Sequence, residues 1–310
     1  MSQLYTSAAP HINSGATTHN VMRDVAIALL PASIAAVVFF GWQALLIILV
    51  CVAAAVATEF LFNLVCKKKQ TILDFSAIVT GLLLALNLST KVPLWQCALG
   101  SVFAILVVKC LFGGLGKNIV NPAIAARVFL LIAFTATVAG GTTNTNFLEA
   151  SATPLSAIKD FDLFTLFIGN HGGTIGETCA LALLLGYAYL VVRGVIKWYV
   201  PFAFVATVFV LFFITSGDLS FSLAHVLSGG LLLGAIFMAT DYVTTPLSNL
   251  GKVVFCIACG VITFAIRMSY FGFEGLHTYP EGVSIAILLM NLMTPLLEKW
   301  TNPKTLGGVK

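Results

Sequence analysis

Five polar stretches interrupt a strongly apolar chain of 310 residues, and they hold the side chains that could do chemistry. In the stretch 149–155, small residues flank Thr153, so its hydroxyl is sterically open; Ser151 lies two places before it and Pro154 directly after. Pro154 fixes its own φ and pushes Thr153 toward an extended backbone. On spacing alone, an ordinary turn with a surface threonine is the simpler account. The stretch 113–123 combines Gly113, Gly114 and Gly116, which permit close backbone approach, with Asn118 and with Asn121-Pro122, a good helix start. Arg127 follows one to two turns later, where a guanidinium either finds a polar partner or snorkels to the membrane surface.

The stretch 229–246 ends an apolar run with Thr240, Asp241, Thr244 and Thr245. Helix capping explains these residues, and so does a carboxylate-and-hydroxyl set that holds a cation or a ring N–H. The stretch 170–178, with Gly172, Gly173, Gly176 and Glu177, is a Gly-rich approach to a helix N-terminus, a generic anion seat. The last stretch, 279–284, places Glu281 in a first helical turn, and Asn291 further along is a buried amide that needs a partner. The histidines at 11, 19, 171, 225 and 277 are scattered, and no zinc spacing, Walker motif or Ser/His/Asp set occurs. Cys256 and Cys259 form a CxxC inside an apolar run, which reads as packing.

The elements that carry these residues follow from composition. The chain is 59% hydrophobic and 9% charged, against roughly 25% charged in soluble domains. It is an all-α polytopic membrane protein, and its net charge of +4 is too small and too spread out to suggest nucleic acid. Ten apolar runs approach the length of a spanning helix: 24–40, 43–65, 73–90, 94–112, 120–139, 177–193, 199–215, 223–240, 252–270 and 281–298. The runs at 73–90 and 223–240 contain glycine and polar residues and are expected to be broken or tilted. With the N-terminus in the cytoplasm, thirteen of the sixteen Lys and Arg residues fall inside and only Lys91, Lys159 and Arg267 outside. This gives a cytoplasmic segment 1–23, a membrane domain 24–298 and a cytoplasmic tail 299–310, with the loop 140–176 outside; no cleavable signal peptide is expected. Gly81-Leu82-Leu83-Leu84 recurs five helices later as Gly230-Leu231-Leu232-Leu233, and Pro93-Leu94 recurs as Pro246-Leu247. Such spacing suits a 5+5 inverted repeat with a site between the halves, although Gly-Leu-Leu-Leu is common in any membrane protein.

Taken in order, Pro10-His11, Met22-Arg23-Asp24-Val25, the 113–123 joint, Ser151-Ala152-Thr153-Pro154-Leu155, Gly176-Glu177-Thr178, Phe237-Met238-Ala239-Thr240-Asp241 and Pro280-Glu281-Gly282-Val283-Ser284 carry a resemblance. The chain resembles the family of the D subunit of the Rnf electron-transport complex and the B subunit of the sodium-pumping NADH:quinone oxidoreductase, and its length favours the Rnf branch. The resemblance implies FMN joined through its phosphate to a threonine hydroxyl, which maps to Thr153 with Ser151 in the motif, and a second flavin, riboflavin, held without a covalent bond. It also implies a subunit that conducts electrons within an ion-translocating ferredoxin:NAD oxidoreductase in the inner (cytoplasmic) membrane. Partners would be the other subunits (A, B, C, E and G), a flavin transferase and the lipid bilayer. Ala150 departs from the family's Ser or Thr, and Ser14-Gly15-Ala16-Thr17 fits the short motif better. The family attaches FMN outside the cytoplasm, which favours Thr153. Gly176 and Glu177 would then cradle the tethered flavin, and Asn118, Asn121, Arg127, Asp241, Thr244 and Thr245 would line the second site. A channel or transporter for a small solute fits the ten-helix plan equally well, and a purely structural anchor is a third reading.

The charge asymmetry is tested with reporters. A reporter fused after Lys310 is expected to be active only in the cytoplasm, and one inserted near Asp160 only outside it; opposite activities mean a miscount of one helix.

Overall fold

The computed structural model describes residues 17–138, 163–169, 171–268 and 282–301. Among them every regular element is helical. Thr17 opens the first helix, α1 (Thr18–Phe40), by accepting a hydrogen bond from Asn20 N at 3.3 Å. The chain turns at Gly41, whose φ of 69° is readily open only to glycine, into α2 (Trp42–Val65). Next come α3 (Ser76–Leu86), α4 (Leu94–Val102), α5 (Pro122–Ala133) and the short α6 (Thr135–Val138) and α7 (Leu163–Ile168). The remaining helices are α8 (Ala180–Val192), α9 (Tyr199–Ser216), α10 (Leu219–Leu227), α11 (Leu231–Leu233), α12 (Asn249–Arg267) and α13 (Val283–Thr301). Two of them continue as π-helix: α4 through Phe103–Cys110, closed by Leu111 N to Leu106 O at 3.0 Å, and α11 through Gly234–Met238, closed by Ala239 N to Gly234 O at 2.7 Å.

Every one of the ten apolar runs contains a helix, but the helices are unequal. Among the described residues five are long and apolar enough to cross a membrane (α1, α2, α9, α12 and α13), or six if α10 and α11, bent by 62° at their break, count as one span. The chain is therefore a multi-pass, all-helical membrane protein, but ten full-length spans are not what the helices display. An apolar run measures composition, whereas α3, with 11 residues, rises only ~16 Å, about half a hydrocarbon core. The ends also move: residues 18–23, expected as part of a tail, are the first turns of α1, and α13 runs on to Thr301.

Helix packing joins distant parts of the chain. α1 packs on α8, α2 on α3 and α4, α9 on α10 and α12, and α13 on α5 and α12. Gly186 of α8 lies so close to the Ala28 carbonyl of α1 that a Cβ would overlap it. At the same seam Asp24 accepts from Arg193 Nε at 3.1 Å and from the Tyr189 hydroxyl at 3.3 Å. Leu29, Phe40, Leu84, Ile124, Phe204 and Phe255 fill the shared core, and Cys256 and Cys259 are buried in it as free thiols.

One ion pair sits inside this apolar packing. Glu59 of α2 and Lys109 of the π segment after α4 are each 2% exposed, and Lys109 Nζ lies 2.8 Å from Glu59 Oε2. Lys109 also donates to Ser76 Oγ at 2.7 Å, and the Thr71 hydroxyl donates to Glu59 Oε1. The charge count places Lys109 among the inner-loop charges; its carboxylate partner, 50 positions away, lets it stay buried instead. Removing one member leaves an uncompensated buried charge, which costs about 3–5 kcal/mol, whereas removing both is far milder. Glu59→Leu or Lys109→Leu is thus expected to lower the melting temperature steeply in detergent, and the double variant to recover most of the loss; additive losses would mean the pair does not couple.

Candidate functional site

A pocket opens where the starts of α1, α3 and α5 meet the ends of α8 and of both π segments. It holds about 740 Å³ of space between atoms, its mouth included. Met22, Val25, Val79, Leu83, Ile236 and Phe237 make apolar walls, and Ser76, Thr80, Lys109, Asn118, Asn121 and Asp241 supply polar groups. Both π segments reach it, through Lys109 and through Ile236 and Phe237. A π turn is costly and recurs at functional sites.

The polar groups are held by local chemistry. Asn121 caps α5, accepting from Ala123 N at 3.0 Å and Ile124 N at 3.4 Å, and Pro122 takes the first helical position, where a missing N–H does no harm. Asn291 of α13 accepts from Asn121 N at 3.1 Å and donates to Thr244 O at 3.2 Å, so it is the partner its burial requires. Asp241 builds its own turn: its carboxylate accepts from Val243 N and from the Thr244 hydroxyl, both at 3.2 Å, and its carbonyl accepts from the Thr245 hydroxyl at 2.6 Å. Burial pushes the Asp241 carboxyl above its ordinary range, and the hydrogen bonds from Val243 and Thr244 oppose that shift. Asn118 differs: its Oδ1 is buried and has no hydrogen-bond partner among the described residues.

Away from the pocket lies a second polar group, built around the interrupted helices. Gly176 N donates to Leu86 O at 2.8 Å and Ile175 N to Leu88 O at 2.9 Å, so this segment caps the end of α3. Glu177 Oε1 accepts from Thr174 N at 3.0 Å, whereas its buried Oε2 has no partner among the described residues and faces Gly230 at the start of α11. Gly230 has φ of 67°, and a Cβ there would lie 2.8 Å from that oxygen. Arg267 holds the freed carbonyls of α10, donating to His225 O and, at 3.1 Å each, to Ser228 O and Gly229 O. His225 stacks on Phe212 with ring centroids 3.7 Å apart.

Of the residues singled out from the sequence, Asn118, Asn121 and Asp241 come together at the pocket, with Thr244 bonded to Asp241. Thr245 lines a neighbouring recess. Arg127 is not among the pocket's lining residues; it is buried deeper and donates to Asn87 Oδ1. Gly176 and Glu177 belong to the second group, and Thr153 and Ser151 lie outside the described residues. Sequence reasoning missed Ser76, Lys109 and Asn87 as site residues. A lysine late in an apolar run was the available signal for Lys109.

A family model, the NQR2, RnfD, RnfE family, matches residues 5–307. A relative from Acetobacterium woodii, named as the D subunit of a Na(+)-translocating ferredoxin:NAD(+) oxidoreductase complex, is 43% identical over 99% of this chain and 96% of its own length. The corresponding subunit of a complex named as proton-translocating, from Clostridium ljungdahlii, is 36% identical over 97% and 95%. The D subunit of an ion-translocating oxidoreductase complex from Methanosarcina acetivorans is 35% identical over 100% and 99%.

The Asn291 bridge is testable by itself. Asn291→Leu strands the Asn121 N–H, while Thr244 O keeps the Thr294 hydroxyl at 2.9 Å. Stability is expected to fall by about 1–3 kcal/mol, measured by denaturant titration in detergent; an unchanged midpoint would remove the bridge from the account.

Proposed function

The chain belongs to the NQR2, RnfD, RnfE family, and from that premise we propose that it is the membrane subunit of an ion-translocating ferredoxin:NAD oxidoreductase that carries flavin and conducts electrons across the bilayer. Support comes from relatives that match it end to end and are named as the D subunits of such complexes. They are named for sodium in one case and for protons in the other, so the likeness does not select the ion.

The proposed architecture has ten membrane segments in two inverted halves, both termini in the cytoplasm and Thr153 outside. What supports the repeat is an exchange in the packing. If α1 to α5 correspond to α8, α9, α10–α11, α12 and α13, then α2 on α3 answers α9 on α10, α2 on α4 answers α9 on α12, and α4 on α5 answers α12 on α13. The two contacts that map onto themselves, α1 on α8 and α5 on α13, would lie on the pseudo-twofold axis.

FMN is proposed on Thr153 and riboflavin in the inner pocket. The observation that carries the second assignment is Asn118 Oδ1, a buried acceptor without a donor among the described residues, at a pocket with apolar walls. A flavin ring offers two apolar faces and an edge with an N–H and carbonyls. Asn118 would accept from that N–H. Lys109 has three N–H donors and spends two on Glu59 and Ser76, which leaves one for a ring carbonyl. Phe237, Ile236 and Leu83 would cover the faces and exclude water. A bound flavin supplies reversible electron transfer, and the chain supplies position and electrostatics. Thr17 needs no flavin to explain it, because its oxygen is the cap of α1. Arg127, held by Asn87, is proposed as a buried brace rather than a ring contact.

Acid precipitation separates tethered flavin in the pellet from free flavin in the supernatant. Thr153→Ala is expected to abolish pellet flavin and Thr17→Ala to leave it intact. Asn118→Leu and Asp241→Leu are each expected to lower supernatant flavin about five- to tenfold with the pellet unchanged. FMN on the peptide that contains Thr17, or a full supernatant signal in both pocket variants, would remove the respective assignment.

A further inference from the structure

Beside the pocket, and sharing Val195, Ile196, Thr240 and Tyr242 with it, is a recess of about 440 Å³, its mouth included. The N-terminal ends of α9 and α12 both meet it. Lys197 stands just before α9, and Lys252 lies in the first turn of α12. A helix N-terminus carries partial positive charge and ordinarily attracts acids, yet neither helix has an acidic residue in its first turn. Both ammonium groups line the same recess. Lys252 sits 5.7 Å over the Tyr242 ring, and Lys197 donates to Asn249 Oδ1. Both partners are neutral, and among the described residues no carboxylate lines the recess. Asp241, the acid nearest in the chain, lines the other pocket and is taken by Val243 N and the Thr244 hydroxyl. Two lysines and two helix ends therefore converge on one concavity with no anion from the described residues.

The surroundings say which anion fits. Trp198 is 60% exposed and Tyr242 48%, and both sit at helix ends, where amphipathic rings mark the headgroup level of a membrane. Leu247 and Leu250, 77% and 64% exposed, add apolar surface where the chain enters α12, and the Glu298 carboxylate there is held by Leu247 N at 3.1 Å. Basic pockets between helix ends on the lysine-rich side of a membrane protein match anionic lipid headgroups. We propose that this recess binds the phosphate of an anionic phospholipid, held by Lys197 and Lys252, with its acyl chains against Leu247 and Leu250. The Thr240 and Thr245 hydroxyls are spent on Ile236 O and Asp241 O, so the two lysine charges and not the threonines set the selectivity. The proposal stands apart from the flavin reading, since it draws on neither Asn118 nor Thr153.

The test is native mass spectrometry of the full chain in detergent, titrated with phosphatidylglycerol or with phosphatidylcholine of the same chain length. Phosphatidylglycerol is expected to bind about thirtyfold more tightly, the usual effect of two basic residues at a lipid surface. K197Q/K252Q is expected to erase that preference, K197Q and K252Q alone to reduce it about fivefold each, and K197R/K252R to retain it. Millimolar inorganic phosphate leaves the lipid bound if the recess is a lipid site. Equal retention of the two lipids, an unchanged preference in the glutamine variants, or displacement by inorganic phosphate would each overturn the proposal. So would a glutamine variant that loses a soluble component of the complex while its lipid content is unaltered.

Discussion

A helix that stops inside a bilayer releases backbone groups that water cannot reach, and the protein itself must satisfy them. This requirement shapes most of the polar structure here. The end of α3 gives its Leu86 and Leu88 carbonyls to Gly176 and Ile175. The end of α10 gives its carbonyls to Arg267. The start of α5 is closed by Asn121, whose own N–H is closed by Asn291 from another helix. Apart from the local Asn121 cap, each repair draws on residues far away in sequence, so these interruptions also tie elements together.

The interruptions create the chemistry as well. The starts of α1, α3 and α5 meet the end of α8 around the pocket; where α11 ends in a π segment, the chain must turn, and Asp241 organises that turn. The pocket is thus the space between converging helix ends, and both π segments reach it. Its lysine wall is nearly neutral as a unit, because Lys109 arrives already paired with Glu59. A neutral wall that still offers an N–H can face a polar ring without the full cost of a bare charge in an apolar region.

Much of this was legible in the chain. The apolar runs located every long helix, Asn121-Pro122 located the start of α5, and the run 223–240, expected to be broken or tilted, does bend between α10 and α11. Asp241 with its threonines, expected to cap a helix or hold a cation or ring N–H, instead builds a turn whose hydrogen bonds span only two to four residues. What escaped is long-range. Nothing local to Lys109 announces Glu59, and nothing local to Arg127 announces Asn87, 40 positions earlier. Nor does an apolar run record where a polar cluster such as Asn87-Leu88-Ser89 cuts it short.

The two π segments carry a further consequence, one of spacing in evolution. A π turn holds one residue more than the α-helix around it, so each segment amounts to a single-residue insertion preserved within a helix. Loss of one residue from Phe103–Cys110 or Gly234–Met238 would let the stretch relax to α with the helix beyond it keeping its bearing, whereas loss of one residue from the α turns before it would swing everything after by about 100° around the axis. A loss of the second kind, within α4, would carry Lys109 away from Glu59 without any change in residue type. These two windows are therefore where the chain can gain or lose a residue with the least disturbance, and descendants of this fold should differ in length there more readily than in the α turns around them.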